Sequence, residues 1–151
     1  DGQMISSSAV RAAVLSGEVE RAAELLGRNY SVTGHVIRGL ARGRTIGFPT
    51  ANLGDIPQVI PSHGVYAGKT VVDQRPYAAA IHIGPNVSFG ESEAKVEVHL
   101  IGFEGDLYGK PLGIEFMAKL RDVVRFASVD DLVAQLHRDV AKSVQLASQF
   151  E

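Results

Sequence analysis

The chain has 151 residues, 45% hydrophobic and 21% charged, with a formal net charge of −2; this is the length of one ordinary domain, with enough apolar material for a core and no overall positive field to attract nucleic acid or an anionic membrane. The absence of cysteine excludes a disulfide framework, a thiolate zinc site and a cysteine nucleophile, and is compatible with a reducing cytoplasm. No apolar run approaches the ~20 residues that span a bilayer, and no basic segment followed by an apolar stretch marks a signal peptide.

In chain order, residues 5–28 read as helical. Ser6, Ser7 and Ser8 offer N-caps, Val10, Val14 and Leu15 follow at helical spacing, and Gly17 is a stop. A second helix over 18–26, with Ala22, Leu25 and Leu26 on its apolar face, ends at Gly27. From Tyr30 the texture changes to β-branched residues punctuated by glycine and proline. Strands are predicted at 30–37, 50–53, 65–72, 77–83, 95–103 and 112–117. Short strands separated by turns, with no helices between them, point to a mainly β, antiparallel barrel or sandwich. The chain closes on a helix capped by Ser128, with Asp131 three residues on. Val129, Leu132, Val133, Leu136, Val140 and Val144 form the face expected to pack on the sheet, while Arg138, Lys142 and Gln145 face water.

The stretch over residues 39–52 carries the most chemistry. Gly39, Gly43 and Gly47 let backbone N–H groups approach a ligand, and Arg42 and Arg44 add donors suited to phosphate. No Gly-Lys-Ser/Thr follows, so this is not a P-loop. If 50–52 is extended, period-2 geometry puts the Thr50 hydroxyl and the Asn52 carboxamide on one face, a pair of hard neutral donors that suits Mg²⁺. The same residues also fit a plain hairpin tip followed by turn residues. The histidines fall at no zinc-site spacing.

The order Gly43-Arg44-x-x-Gly47-Phe48-Pro49-Thr50-Ala51-Asn52 resembles the signature of riboflavin kinases. The resemblance continues through His63-Gly64-Val65-Tyr66-Ala67, Ile83-Gly84-Pro85-Asn86 with Phe89-Gly90, Glu97-Val98-His99-Leu100, Asp106-Leu107-Tyr108-Gly109, and Phe116 with Leu120-Arg121. It covers about residues 30–140. It implies a Greek-key-like six-stranded antiparallel barrel with a C-terminal helix, and transfer of the ATP γ-phosphoryl group to riboflavin.

By that resemblance Glu97 is the catalytic base. Gly39, Arg44, Gly47, Pro49 and Thr50 bind ATP phosphates, Thr50 and Asn52 hold Mg²⁺ or another divalent cation, and Tyr108, Phe116, Leu120 and Arg121 flank the flavin. Each residue also has a plainer reading. Glu97 sits on the polar face of an alternating strand, Phe116 fits the barrel core, and Arg121 could pair with Asp122. Two positions depart from the family pattern: Val87 stands where proline is usual, and Val123 near a usual acidic residue.

Residues 5–28, with Ile5-Ser6-Ser7-Ser8 and Ala22 to Gly27, resemble the end of the adenylyltransferase domain of bacterial bifunctional flavokinase/FAD synthetases. That resemblance implies an upstream FMN adenylyltransferase domain in the full-length protein, with residues 1–28 a helical remnant of it or linker from it and residues 29–151 forming the kinase barrel and helix. The implied partners are small-molecule substrates, with no nucleic acid and no membrane. The competing readings are a non-catalytic flavin- or nucleotide-binding barrel and, ranked lower, a nucleic-acid-binding barrel using Arg38, Arg42 and Arg44. The arginine stretch offers only Phe48 for base stacking.

Overall fold

The computed structural model describes residues 7–38, 46–85, 88 and 94–149. Two short helices, α1 (Ser7–Leu15) and α2 (Val19–Leu26), lead into six strands: β1 (Tyr30–Ile37), β2 (Ala51–Gly54), β3 (Gly64–Val72), β4 (Arg75–Gly84), β5 (Lys95–Leu100) and β6 (Pro111–Arg121). A long helix, α3 (Val129–Gln149), follows. The strands close into a barrel in the order β1-β2-β5-β4-β3-β6, every neighbouring pair antiparallel. β3, β4 and β5 run as a meander and β6 returns beside β3, which is the Greek-key connection. Closure removes the free strand edges that would otherwise template aggregation.

Alternation sorts each strand into an inner and an outer face. Val32 and Val36 of β1, Ile81 and Ile83 of β4, Val96, Val98 and Leu100 of β5, and Leu112, Ile114 and Phe116 of β6 fill the interior. Phe116 has no exposed surface. It stacks on Tyr30 (centroids 6.5 Å apart) and meets Tyr66 edge-on at 5.4 Å. It lies opposite Gly68, where a Cβ would run into the Glu115 carbonyl oxygen and Ile81, so only glycine allows β3 and β6 to approach so closely there.

Several strand boundaries differ from the sequence expectation, most by a single residue; the differences with an identifiable cause are these. β2 starts at Ala51, one residue late, after a proline that has no N–H to give to a ladder. β4 starts two residues early, at Arg75, because Asp73 and Gln74 (φ 50° and 67°) make a two-residue turn that pairs Val72 with Arg75. β5 ends at Leu100, before a turn with Gly102 at φ 82°. β6 continues past Met117 to Arg121, paired with β3 across two register shifts. Those bulges flip the in/out alternation after Phe116, so the apolar pattern that marks 112–116 as a strand no longer marks 118–121.

α3 packs on the outer face of β3, β4 and β6. Ser128 caps it as expected, its Oγ accepting the Asp131 N–H at 3.1 Å. The predicted face is inward only in part. Asp139, Ser143 and Ala147 are the helix's buried residues, whereas Val129 and Val144 are 52% and 45% exposed. Leu132, Val133, Leu136 and Val140 are half-buried at its flanks, and Arg138, Lys142 and Gln145 do face water. Ala147 meets Ala67 and Met117 on the barrel, with Leu120 and Leu146 alongside. At the other end, α1 and α2 join through Ala13, Val14 and Ala22, and α2 leans on β6 and β1. Gly17 and Gly27 stop these helices with φ of 81° and 75°.

Candidate active site

The register of β2 on β5 sets Asn52 opposite Glu97, and that of β5 on β4 sets Glu97 opposite His82. Neighbours of Asn52 and Glu97 on their strands (Leu53, Val96, Val98) point into the core, so this row faces outward. It runs on around the barrel. His82 pairs with Val65, and Val65 with Arg121, so Asn52, Glu97, His82, Val65 and Arg121 form one belt across five strands. Directly opposed residues place their Cβ atoms ~5 Å apart, which makes the carboxamide of Asn52 and the carboxylate of Glu97 immediate neighbours. Glu97 Oε2 lies 4.0 Å from His82 Nδ1, an ionic contact when the imidazole is protonated. Sequence reading gave His82 no role; its signal was the outward phase of β4 in line with Glu97.

Thr50 precedes β2 and shares the wall of a cavity of about 250 Å³ with Asn52, Arg38 and Tyr108. Asn52 is 8% exposed. Asn52 and Arg38 also border a larger cavity of about 770 Å³ that extends past Asp55, Ile60 and Lys95. Glu97 lines neither cavity; it stands next to both through Asn52. The arrangement offers hydroxyl and carboxamide oxygens, uncharged and close together, with a carboxylate beside them. Such a pair fits a hard divalent cation that takes its other ligands from phosphate and water. Among the described residues no cluster of three or more His, Cys, Asp or Glu side chains could hold a metal on its own. The Arg38 guanidinium lies 4.0 Å from the centroid of the Tyr108 ring, a cation–π contact that fixes both at the cavity mouth.

Ahead of Thr50, Gly47 adopts φ 89° and Pro49 offers its carbonyl to His99 Nδ1 at 2.7 Å. Gly39 and Arg44 lie outside the described residues, as do Gly43, Asn86, Val87, Phe89 and Gly90. Ser88, between them, accepts the Phe126 N–H on its Oγ at 3.1 Å, which ties that connection to the segment after β6.

The four residues expected at the flavin are spread over three environments. Tyr108 is 49% exposed beside Thr50 and Asn52. Leu120 packs between barrel and α3. Phe116 is inside the barrel, leaving its ring no surface to offer. Arg121 is held by Asp139 of α3: Nε donates to both carboxylate oxygens at 3.1 and 3.2 Å, and Nη2 donates to Oδ2 at 2.8 Å. Its Nη1 donates to the Asp122 carbonyl at 3.2 Å, and the guanidinium lies 5.5 Å from the centre of Phe126. The Asp122 carboxylate goes to Lys119 instead, at 2.9 Å; that hydrogen bond draws Asp122 below the usual carboxylate range and lifts Lys119 above the usual amine value. Asp139, only 3% exposed, also accepts from Gln135 Nε2 at 2.9 Å. Its sequence signal was an acidic residue in line with Leu132 and Leu136 on the helix's apolar side.

Comparison with known proteins bears on the family and the fold. The family described as Flavokinase, riboflavin kinase, matches residues 26–147. A bifunctional riboflavin kinase/FMN adenylyltransferase of Haemophilus influenzae is 39% identical over 93% of this chain and 46% of its own. A crystal structure of a Streptococcus pneumoniae chain described as a macrolide-efflux protein superposes with a TM-score of 0.83 and 39% identity, over 95% of this chain and 48% of that one. The riboflavin kinase of Trypanosoma brucei shares the fold, with a TM-score of 0.55 and 22% identity over 78% of this chain and 79% of that one. The chain spans about half the length of the curated relatives it matches. Among the described residues no helix is long and apolar enough to cross a membrane. The match to that family over residues 26–147, on a closed six-stranded antiparallel barrel, places this chain in the riboflavin kinase family.

Proposed function

We propose that this chain transfers the γ-phosphoryl group of ATP to the ribityl 5′-hydroxyl of riboflavin, giving FMN and ADP. The observation that carries the reading is the β2–β5 register, which sets Asn52 against Glu97 at the end of a segment whose preceding residue is Thr50. Phosphoryl transfer asks for positioned phosphates, neutralised charge and an in-line hydroxyl, and little covalent chemistry from the protein. In this reading Thr50 and Asn52 hold Mg²⁺ or another divalent cation, which when bound neutralises charge on the phosphate oxygens. Gly39, Arg44, Gly47 and Pro49 contribute to the cover over the phosphates. Glu97 accepts the hydroxyl proton as the new O–P bond forms and the bond to the β–γ bridging oxygen breaks, with ADP leaving.

Tyr108, Leu120 and Arg121 flank the flavin, and Phe116 supports that wall from inside the barrel. Residues 1–28 are the helical remnant of, or linker from, an upstream FMN adenylyltransferase domain, residues 29–151 form the kinase unit, and the full protein works in the cytoplasm on small-molecule substrates. The description of the relatives as bifunctional supports the two-domain reading. The test is to incubate the chain with riboflavin and Mg·ATP and to separate the flavins by chromatography. FMN that appears with both substrates, and disappears on chelation of the metal, is the expected result. Binding of both ligands without FMN would replace the reading with a non-catalytic flavin- or nucleotide-binding barrel.

A further inference from the structure

The β2–β5 ladder ends at Ala51↔Val98, one step short of bringing Thr50 opposite His99. Pro49 offers a ladder no N–H, so backbone pairing has little to gain by continuing. The side chain of His99 takes over where the backbone stops. Its Nδ1 lies 2.7 Å from the Pro49 carbonyl oxygen; a carbonyl only accepts, so Nδ1 carries the hydrogen in this contact. Phe48, 8% exposed, is wedged edge-to-face between two imidazoles, His99 at 5.6 Å and His137 of α3 at 5.0 Å. Three consecutive residues therefore do different work. Phe48 is clamped between barrel and helix, Pro49 is tethered to β5, and Thr50 projects into the cavity it shares with Asn52.

We infer that His99 is a positioning residue for the nucleotide–metal half of the site: it fixes Thr50 in line with Asn52 and Glu97 by holding the Pro49 carbonyl. The inference deepens the kinase reading and rests on it. His99 touches neither substrate in this account. It acts through the backbone of residues 48–50, two residues along β5 from Glu97 and on the same outward face. A tether of this kind lowers the cost of ordering Thr50 when the metal and phosphates bind, and it leaves the flavin wall on Leu120 and Arg121 unaffected.

The test uses two isosteric choices. In His99→Asn the carboxamide nitrogen occupies the place of Nδ1 and can still donate to Pro49, whereas in His99→Gln it sits one bond further out and cannot. Calorimetric titration of the 151-residue chain with Mg·ADP, and separately with riboflavin, reads each half of the site without turnover. Loss of one ordering hydrogen bond is expected to raise the Kd for Mg·ADP by about tenfold in His99→Gln. His99→Asn should stay within about threefold of the parent, the riboflavin Kd should hold in both, and any fall in ligand-free Tm from losing the ring against Phe48 should be the same in both variants. Equal weakening of both ligands, or a ligand-free Tm that falls in step with the Mg·ADP affinity, would reduce His99 to a general structural residue and overturn the inference. An unchanged Mg·ADP Kd in His99→Gln overturns it as well, while leaving the kinase reading intact. A parent chain that neither binds Mg·ADP nor makes FMN overturns both.

Discussion

A carboxamide and a carboxylate opposed across two strands make an asymmetric pair: Asn52 supplies a neutral oxygen, and Glu97 a charge and a place for a proton. If Glu97 is the base, its removal should affect the chemical step far more than binding. Glu97→Gln keeps the size and the outward position, so Mg·ADP and riboflavin affinities are expected to hold while FMN formation slows by ~10²–10⁴. Single-turnover measurement with saturating substrates checks this, and a near-parental rate would remove Glu97 from the mechanism. The motif spacing in the sequence brought Thr50, Asn52 and Glu97 forward, but it could not supply their adjacency. Residues 52 and 97 are far apart in the chain, and only the pairing of β2 with β5 makes them neighbours. His82 showed only its outward phase on β4; that it meets Glu97 depends on the pairing of a third strand.

At the scale of elements, α3 is held to the barrel by a polar latch as well as by packing. Arg121 of β6 and Asp139 of α3 are both largely shielded from water, and the carboxylate accepts from Arg121 and Gln135. Breaking one side of such a pair leaves the other charge buried without its counter-charge, which costs about 3–5 kcal/mol. Asp139→Ala is therefore expected to lower the unfolding free energy measured by urea titration by an amount of that order and to loosen α3, read by hydrogen exchange along the helix. A loss below about 1 kcal/mol, the level of an exposed pair, would show that the latch contributes little. The start of α3 was legible because Ser128 and Asp131 are a local cap. Its inward face was legible through Leu132, Val133, Leu136 and Val140, but hydrophobicity alone also selected the exposed Val129 and Val144 and passed over Asp139, which the helix turns inward to meet a charge on β6. The extension of β6 was hidden by bulges that reverse its alternation, a consequence of pairing with β3 that no single strand reveals.

For the molecule as a whole, closure of six strands around an aromatic centre ties stability to phenols that cannot easily ionise. Burial is the largest influence on Tyr66 and Tyr30, and it pushes both above the ordinary tyrosine value of 10.0. Above about pH 10 the unfolded chain releases phenolic protons that the folded chain retains. The stabilisation these groups provide is thus fully present below that pH and is lost as the pH climbs through their folded-state values. Scanning calorimetry from about pH 9 to 11 is expected to show Tm falling with rising pH, and Tyr66→Phe should flatten the fall. An equally steep decline in the variant would assign it to other groups.

The belt from Asn52 to Arg121 and the core of Val96, Val98, Ile81 and Leu53 are drawn from alternate positions of the same strands. Parity along the chain thus separates two selective pressures: one set of positions answers to volume, the next to chemistry. Substrate preference could drift by exchanging outward residues while the scaffold kept its Tm, and a single inserted residue in β5 would interchange the two sets and abolish both at once.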